Sequence, residues 1–292
     1  MPQGASLPSA VIQGVDDMKF ATFFSHLEQD AQTLAAREGC SPEAAMKAVL
    51  REAKALGITG MTMHYPELTA ENLELLADAG MTVDLVSYEC RLCFGEDGSQ
   101  TIRAAEVSAR AGAKILMLIP GFTDGLLPED TARENAYPLL RQVVNRCGAL
   151  GIAPSVENYG GRRTTFSTVA GVKAYLDNVE GLMAVLDTGN CLYHRQDVLE
   201  MLAMMRPRLT GIHAKDLAAE PVEGVGAVTT PCGDRLTPQP FGDGMLPRSE
   251  LLRAIAASGF DGSVTFEHDG YPDSLAFLRR SMACWQQGGS VR

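Results

Sequence analysis

Four segments in the second half of the chain end in groups that can hold a cation or carry a proton. They are P-S-V-E-N with Glu157, V-L-D-T-G-N with Asp187, G-I-H-A-K-D with His213 and T-F-E-H-D with Glu267. Each group closes an apolar or β-branched run of the kind that forms a buried strand. Three carboxylates crowded beside an imidazole resist ionising together unless a cation sits among them. One divalent metal ion removes that conflict. An O3N donor set with open positions suits Mn2+, Mg2+, Co2+ or Zn2+, and its carboxylate-rich character favours the harder ions, with Mn2+ first. A lone acidic residue at a strand end is ordinarily the cap of the next helix. Four such groups on successive strands point instead to a metal centre.

Other polar groups stand at the same ends. His64 and Glu89 finish the second and third runs and are candidates to contact substrate hydroxyls. Lys215, two residues beyond His213, falls on the same side of the strand alternation, where it can bond a substrate oxygen or pair with a carboxylate. Asn158, beside Glu157, reads as a supporting residue. His268 follows Glu267 directly and is expected to point away from the barrel interior, while His26 and His194 are expected in loops. Gly242-Asp243-Gly244 could cradle a phosphate, but Arg162-Arg163 after the fifth run is the better anionic candidate.

The elements that must position these residues alternate along the chain. Eight apolar runs, at 19–24, 58–64, 82–88, 114–120, 152–158, 182–188, 209–215 and 263–268, are separated by helical stretches. Strand and helix in strict alternation predict parallel pairing through crossover helices. Ser41-Pro42-Glu43 supplies an N-cap, a proline at N1 and an acidic first turn for a helix that ends near Gly57. Thr69 opens the next and Gly80 closes it. Further helices are expected over 104–113, 129–150, 167–178, 197–206, 249–258 and 272–286. No G-x-G-x-x-G turn follows an early strand, which argues against an open dinucleotide-binding sheet. The predicted fold is a (β/α)8 TIM barrel of the α/β class, one domain over 18–292, with residues 1–17 as an N-terminal extension. Residues 25–40 read as a long loop with a short helix or part of a lid, and residues 217–247, rich in Gly and Pro, as a functional cover.

A chain of 292 residues with 46% hydrophobic and 21% charged residues can bury a full core. Its formal net charge of −11 disfavours nucleic acid and anionic membrane surfaces as partners. No signal-peptide pattern or long apolar span is present in the sequence, so a cytoplasmic location is expected. Seven scattered cysteines, including Cys90 and Cys93 in a C-x-x-C, read as reduced thiols without a metal or redox role.

The ordered motifs E-N at 157 and 158, D-T-G-N at 187–190, H-A-K-D at 213–216, F-G-D-G at 241–244 and G-F-D-G-S-V-T-F-E-H at 259–268 resemble the xylose isomerase-like TIM barrel superfamily. That group holds sugar phosphate isomerases and epimerases together with the second family of AP endonucleases. The resemblance covers residues 50–285. It implies that Glu157, Asp187, His213 and Glu267 ligate the metal, and that Glu157 and Glu267 exchange protons with substrate. Asn190 stands where many relatives carry a substrate- or metal-binding histidine, and the resemblance makes it a substrate-binding candidate. The resemblance implies a metal-dependent isomerase or epimerase acting on a small ketose, aldose or sugar-derived hydroxy-ketone through an enediolate. A dication on the carbonyl and its neighbouring hydroxyl would acidify the C–H between them. Three alternatives stand beside it: a dehydratase or lyase of the inosose or 3-dehydroshikimate type, an abasic-site endonuclease, and a non-catalytic sugar-binding subunit. A free sugar or keto-polyol is favoured over a phosphorylated one, and a homodimer or homotetramer is expected by resemblance.

Overall fold

The computed structural model describes residues 18–162 and 164–288, so the expected extension at 1–17 and Arg163 lie outside the described residues. The first seven apolar runs become parallel strands: β1 (Lys19–Phe23), β2 (Ile58–His64), β3 (Thr82–Glu89), β4 (Ile115–Ile119), β5 (Ala153–Glu157), β6 (Met183–Asp187) and β7 (Leu209–Ala214). An antiparallel excursion follows, with β8 (Asp216–Ala218), β9 (Val228–Thr229) and β10 (Arg235–Gln239) in the order β8-β10-β9. The last run, β11 (Ser263–Phe266), pairs with both β7 and β1 and closes the ring β1-β11-β7-β6-β5-β4-β3-β2. The expected (β/α)8 TIM barrel is the fold.

Helices cover the outside of the barrel: α1 (Phe24–Glu38), α2 (Pro42–Ala55), α3 (Ala70–Ala79), α4 (Ser99–Arg110), α5 (Glu129–Leu150), α6 (Val169–Asn178), α7 (Thr188–Tyr193), α8 (Val198–Met205), α9 (Arg248–Ser258) and α10 (Ser274–Gly288). Ser41 caps α2 and Thr69 caps α3 through their side chains, and Gly80 ends α3 in the left-handed region, all as their types predict. The main core lies between strands and helices. A smaller apolar plug of Leu85, Ile115, Met117 and Val185 fills part of the barrel interior.

Three expectations need correction. Residues 25–40 are not a long loop: α1 is a 15-residue helix that begins directly after β1. Its start carries no readable signal, because Phe23 caps it without a side-chain bond and its first turn holds no acid. Burial of Phe24, Leu27 and Ala31 on one face holds it instead. The cover at 217–247 is partly built of β8, β9 and β10 rather than irregular chain. The G-D-G turn does not present free amides to a phosphate, because Asp216 takes them. Its Oδ2 accepts from Gly242 N at 3.0 Å and Gly244 N at 3.1 Å, and its Oδ1 from Leu217 N at 2.9 Å and Leu246 N at 3.3 Å. Burial still pushes the Asp216 carboxyl up to about 6. A Cβ on Gly244 would stand 2.2 Å from Asp216 Oδ1, so the turn and the carboxylate are fitted to each other.

All seven cysteines are free thiols, and Cys90 and Cys93 are buried against Ile119 O and Tyr175 Oη. Among the described residues no helix is long and apolar enough to cross a membrane.

Replacing Asp216 by Ala strands several backbone N–H groups at once. An expected loss of about 3 kcal/mol or more is checked by urea unfolding. A loss below about 1 kcal/mol would show that the Asp216 bonds do not hold the turn.

Candidate metal centre

Glu157 and Asp187 are the last residues of β5 and β6, His213 is the penultimate residue of β7, and Glu267 follows β11 directly. These strands are neighbours in the ring, and Asp187 pairs with His213 in register, so parallel pairing alone brings the four side chains to one mouth. Each offers one ligand atom, and those atoms lie within 4.8 Å of one another; this is the single such group found among the described residues. His213 Nδ1 lies 2.6 Å from Glu157 Oε1 and 3.1 Å from Glu267 Oε2. Glu157 Oε1, Asp187 Oδ2, Glu267 Oε2 and both His213 ring nitrogens are buried with no hydrogen bond to a group outside the cluster. Buried polar atoms in a folded protein are normally well paired, and five such atoms turned on one another form a group that could hold a cation. The residues present fit a divalent ion with O3N ligation.

The outer oxygens of Asp187 and Glu267 are held by the protein. Asp187 Oδ1 accepts from Asn190 N at 2.8 Å and so caps α7, leaving Oδ2 for the centre. One carboxylate can therefore both cap α7 and offer an oxygen to the cluster. Asn158 exchanges two bonds with the Asp187 backbone, its Oδ1 accepting from Asp187 N and its Nδ2 donating to Asp187 O, each at 2.8 Å. Glu267 Oε1 accepts from Lys215 Nζ at 3.0 Å. Thr188 Oγ1 accepts from Lys215 N and donates to Lys215 O, which ties α7 to the chain leaving β7. Lys215 thus takes the ion-pair role: its ammonium also lies 2.9 Å from Asp269 and 3.8 Å from Asp187, with Asn190 Oδ1 at 3.4 Å. Tyr193 hydrogen-bonds Asp269 in turn.

The electrostatics follow from burial and these contacts. Burial pushes the Glu157 carboxyl up and Asp187 well up, towards their neutral forms. Burial acts on Glu267 in the same way, but Lys215 and His213 outweigh it and hold that carboxyl low. Burial opposes charge on His213, yet Glu157 and Glu267 carry its pKa up to about 10. Lys215 is buried too, and Asp269, Glu267 and Asp187 keep it an ammonium ion.

A cavity of about 230 Å3 opens onto the cluster. His64 lines it, with Nδ1 2.7 Å from Ser87 Oγ. Asn190 is buried beside Lys215 rather than on the cavity wall. Glu89 is exposed and does not line the cavity; Ser87, two residues earlier on the same strand face, does. His26 is not in a loop but in the first turn of α1, and with the buried His268 it lines the cavity, as do Tyr159 and Asp269. Asp269 closes T-F-E-H-D, two residues after Glu267, and reading that motif to its end would have found it; nothing local marks His26. His194 ends α7 with Nε2 3.0 Å from Gly160 O. Arg162, the anionic candidate, is exposed, paired with Asp124 and stacked 4.2 Å over Phe122.

The family model described as xylose isomerase-like TIM barrel matches residues 50–283. No curated protein sequence matches the chain. Among solved structures, the fold is similar to the probable 3-DHS dehydratase AsbF of Bacillus anthracis, at 14% identity over 91% of this chain and 98% of that one, TM-score 0.67. It is similar to D-psicose 3-epimerase with D-tagatose from Clostridium cellulolyticum H10, at 14% identity over 91% and 94%, TM-score 0.66. A third is a xylose isomerase-like TIM barrel protein from Mycobacterium smegmatis in complex with magnesium, at 17% identity over 94% and 96%, TM-score 0.65. At these identities the likeness is one of fold.

Titrating Mn2+ into metal-free protein is expected to raise Tm by about 5–10 °C at about a hundredfold excess over Kd, reversibly with chelator. Asp187→Asn keeps an oxygen for the α7 cap and should lose that rise. The ion must displace protons held by the raised Glu157, Asp187 and His213 groups, so its affinity should climb as pH rises through neutrality. A Tm indifferent to Mn2+, Mg2+, Co2+ and Zn2+ at every pH would sink the metal assignment.

Proposed function

Because the chain belongs to the xylose isomerase-like TIM barrel family, we propose that it is a divalent-metal-dependent isomerase or epimerase of a small ketose, aldose or sugar-derived hydroxy-ketone. The observation that carries this reading is the convergence of one donor atom each from Glu157, Asp187, His213 and Glu267 to within 4.8 Å of one another, beside a cavity lined by Glu157, His213 and Glu267. A divalent ion there, Mn2+ by preference and with Mg2+, Co2+ or Zn2+ as substitutes, would polarise a substrate carbonyl and the adjacent hydroxyl and acidify the carbon-bound proton between them.

Glu157 and Glu267 are the residues placed to move that proton. They arise from strands separated in the ring by β6 and β7, both line the cavity, and each turns one oxygen towards His213 in the cluster. Carboxylates reaching a substrate from two sides can remove a proton from one face, giving an enediolate, and return it to the other, which inverts the centre. Return to the neighbouring carbon interconverts ketose and aldose. Lys215 holds Glu267 in place through Oε1. His64, fixed by Ser87, is positioned to bond a substrate hydroxyl. Asn190 acts on the site through Lys215 rather than by contact with substrate.

A dehydratase acting by the same first step is the second reading, favoured by the likeness of fold to the probable 3-DHS dehydratase. Loss of a β-hydroxyl from the enediolate would leave an enone.

Incubating the metal-loaded protein in deuterated water with ketoses, aldoses and keto-inositols should place deuterium on one carbon of a substrate or its product. An ultraviolet-absorbing product would identify the dehydratase. Glu157→Gln and Glu267→Gln are each expected to cut turnover by about 10²–10⁴-fold. Undiminished turnover in Glu267→Gln with metal retained would remove that carboxylate from proton transfer.

A further inference from the structure

His26 owes its place to the absence of a loop after β1. α1 begins at Phe24, so its first turn overhangs the barrel mouth and sets His26 on the wall of the cavity that holds the candidate ligands. In the eight-strand ring β1 stands opposite β5 and β2 opposite β6. His26 and His64 therefore come from the side of the barrel across from Glu157 and Asp187. The Phe23 ring lies between three imidazoles, 5.2 Å from His26 and 5.3 Å from both His64 and His213.

The His26 ring is clamped. It stacks on His268 with centroids 3.8 Å apart and planes 16° from parallel. His268 is itself fixed in one tautomer. Tyr271 N donates to its Nδ1 at 3.1 Å, so the ring proton is on Nε2, 3.2 Å from Ser274 Oγ. The Ser274 hydroxyl then donates to the His26 carbonyl at 2.9 Å. One serine at the start of α10 thus orients both the ring beneath His26 and the backbone that carries it. Within this frame His26 Nδ1 is buried and has no hydrogen-bond partner. Packing alone is better served by a phenyl ring, which leaves no polar atom unpaired.

We infer that His26 is a specificity-determining residue whose imidazole hydrogen-bonds a hydroxyl of the substrate chain on the side of the cavity away from Glu157. The site then favours polyhydroxylated chains long enough to span from the carboxylate cluster to His26. This inference rests on the sugar-enzyme reading given above.

The test is calorimetric binding of glycerol, erythritol, xylitol and sorbitol to the Mn2+-loaded parent and to His26→Phe, His26→Ala and His26→Gln. His26→Phe preserves the stack on His268 and removes only the ring nitrogens. It is expected to weaken xylitol and sorbitol about tenfold to a hundredfold, leave glycerol within about twofold and leave Mn2+ affinity and Tm unchanged. His26→Gln, which keeps an N–H donor, should recover part of the loss. Equal binding of the long polyols to parent and His26→Phe overturns the role of His26 and leaves the sugar-enzyme reading standing. An equal loss across all four polyols, with a lowered Tm, makes His26 a packing residue and overturns it as well. If Mn2+ binds the parent but no polyol does, the sugar-enzyme reading falls and this inference with it.

Discussion

Three carboxylates and an imidazole are held with their donor atoms within 4.8 Å of one another, buried, and with no hydrogen bond to a group outside the cluster at those inward atoms. Desolvation makes each bare charge costly, and the carboxylates' mutual repulsion adds to it. The surroundings relieve that cost only in part, and they hold two of the four side chains by their outer atoms. Asn190 N donates to one oxygen of Asp187, Lys215 donates to one oxygen of Glu267, and Asn158 grips the Asp187 backbone. The inward atoms that remain form a donor set that fits a divalent cation.

That arrangement constrains the rest of the upper barrel. Lys215 has to remain charged while buried, and it does so among Glu267, Asp269 and Asp187. Its neighbour Asp216 points the opposite way and gathers four backbone amides, anchoring the chain between β10 and α9. Strand alternation at two consecutive residues therefore serves the site on one side and the cover on the other. Gly160 and Gly189 complete the fit, since a Cβ on either would collide with Asn190, Tyr193 or Lys215.

Across the mouth the wall is built from aromatic rings. Phe23 neighbours the imidazoles of His26, His64 and His213, and all three of these rings line the cavity. Burial lowers the pKa of His64, His26 and, to about 4, His268, so this wall is uncharged near neutrality. The cavity is thus polarised, with charge concentrated on the β5, β6, β7 and β11 side and neutral donors and acceptors on the β1 and β2 side.

The barrel and its cluster were legible in the sequence because both depend on local periodicity. Apolar runs alternating with helical stretches imply parallel strands, and a residue at a strand's C-terminal end reaches the same mouth whichever strand carries it. Glu157, Asp187, His213 and Glu267 could therefore be placed together before any contact was known. Other features depend on contacts between distant segments and have no local trace. α1 is set by burial rather than by caps, so nothing local distinguishes the position of His26 from a loop. The His26–His268 stack and the Ser274 hydroxyl that supports it join residues up to 248 positions apart. Glu89 and Ser87 share a strand face, and only the height of the wall decides which one lines the cavity. The residue types and their order determined which four side chains meet at the mouth. The closed ring alone decided which oxygen of Asp187 and of Glu267 is turned inward, because that depends on the partners, Asn190 N and Lys215, that reach the other oxygen.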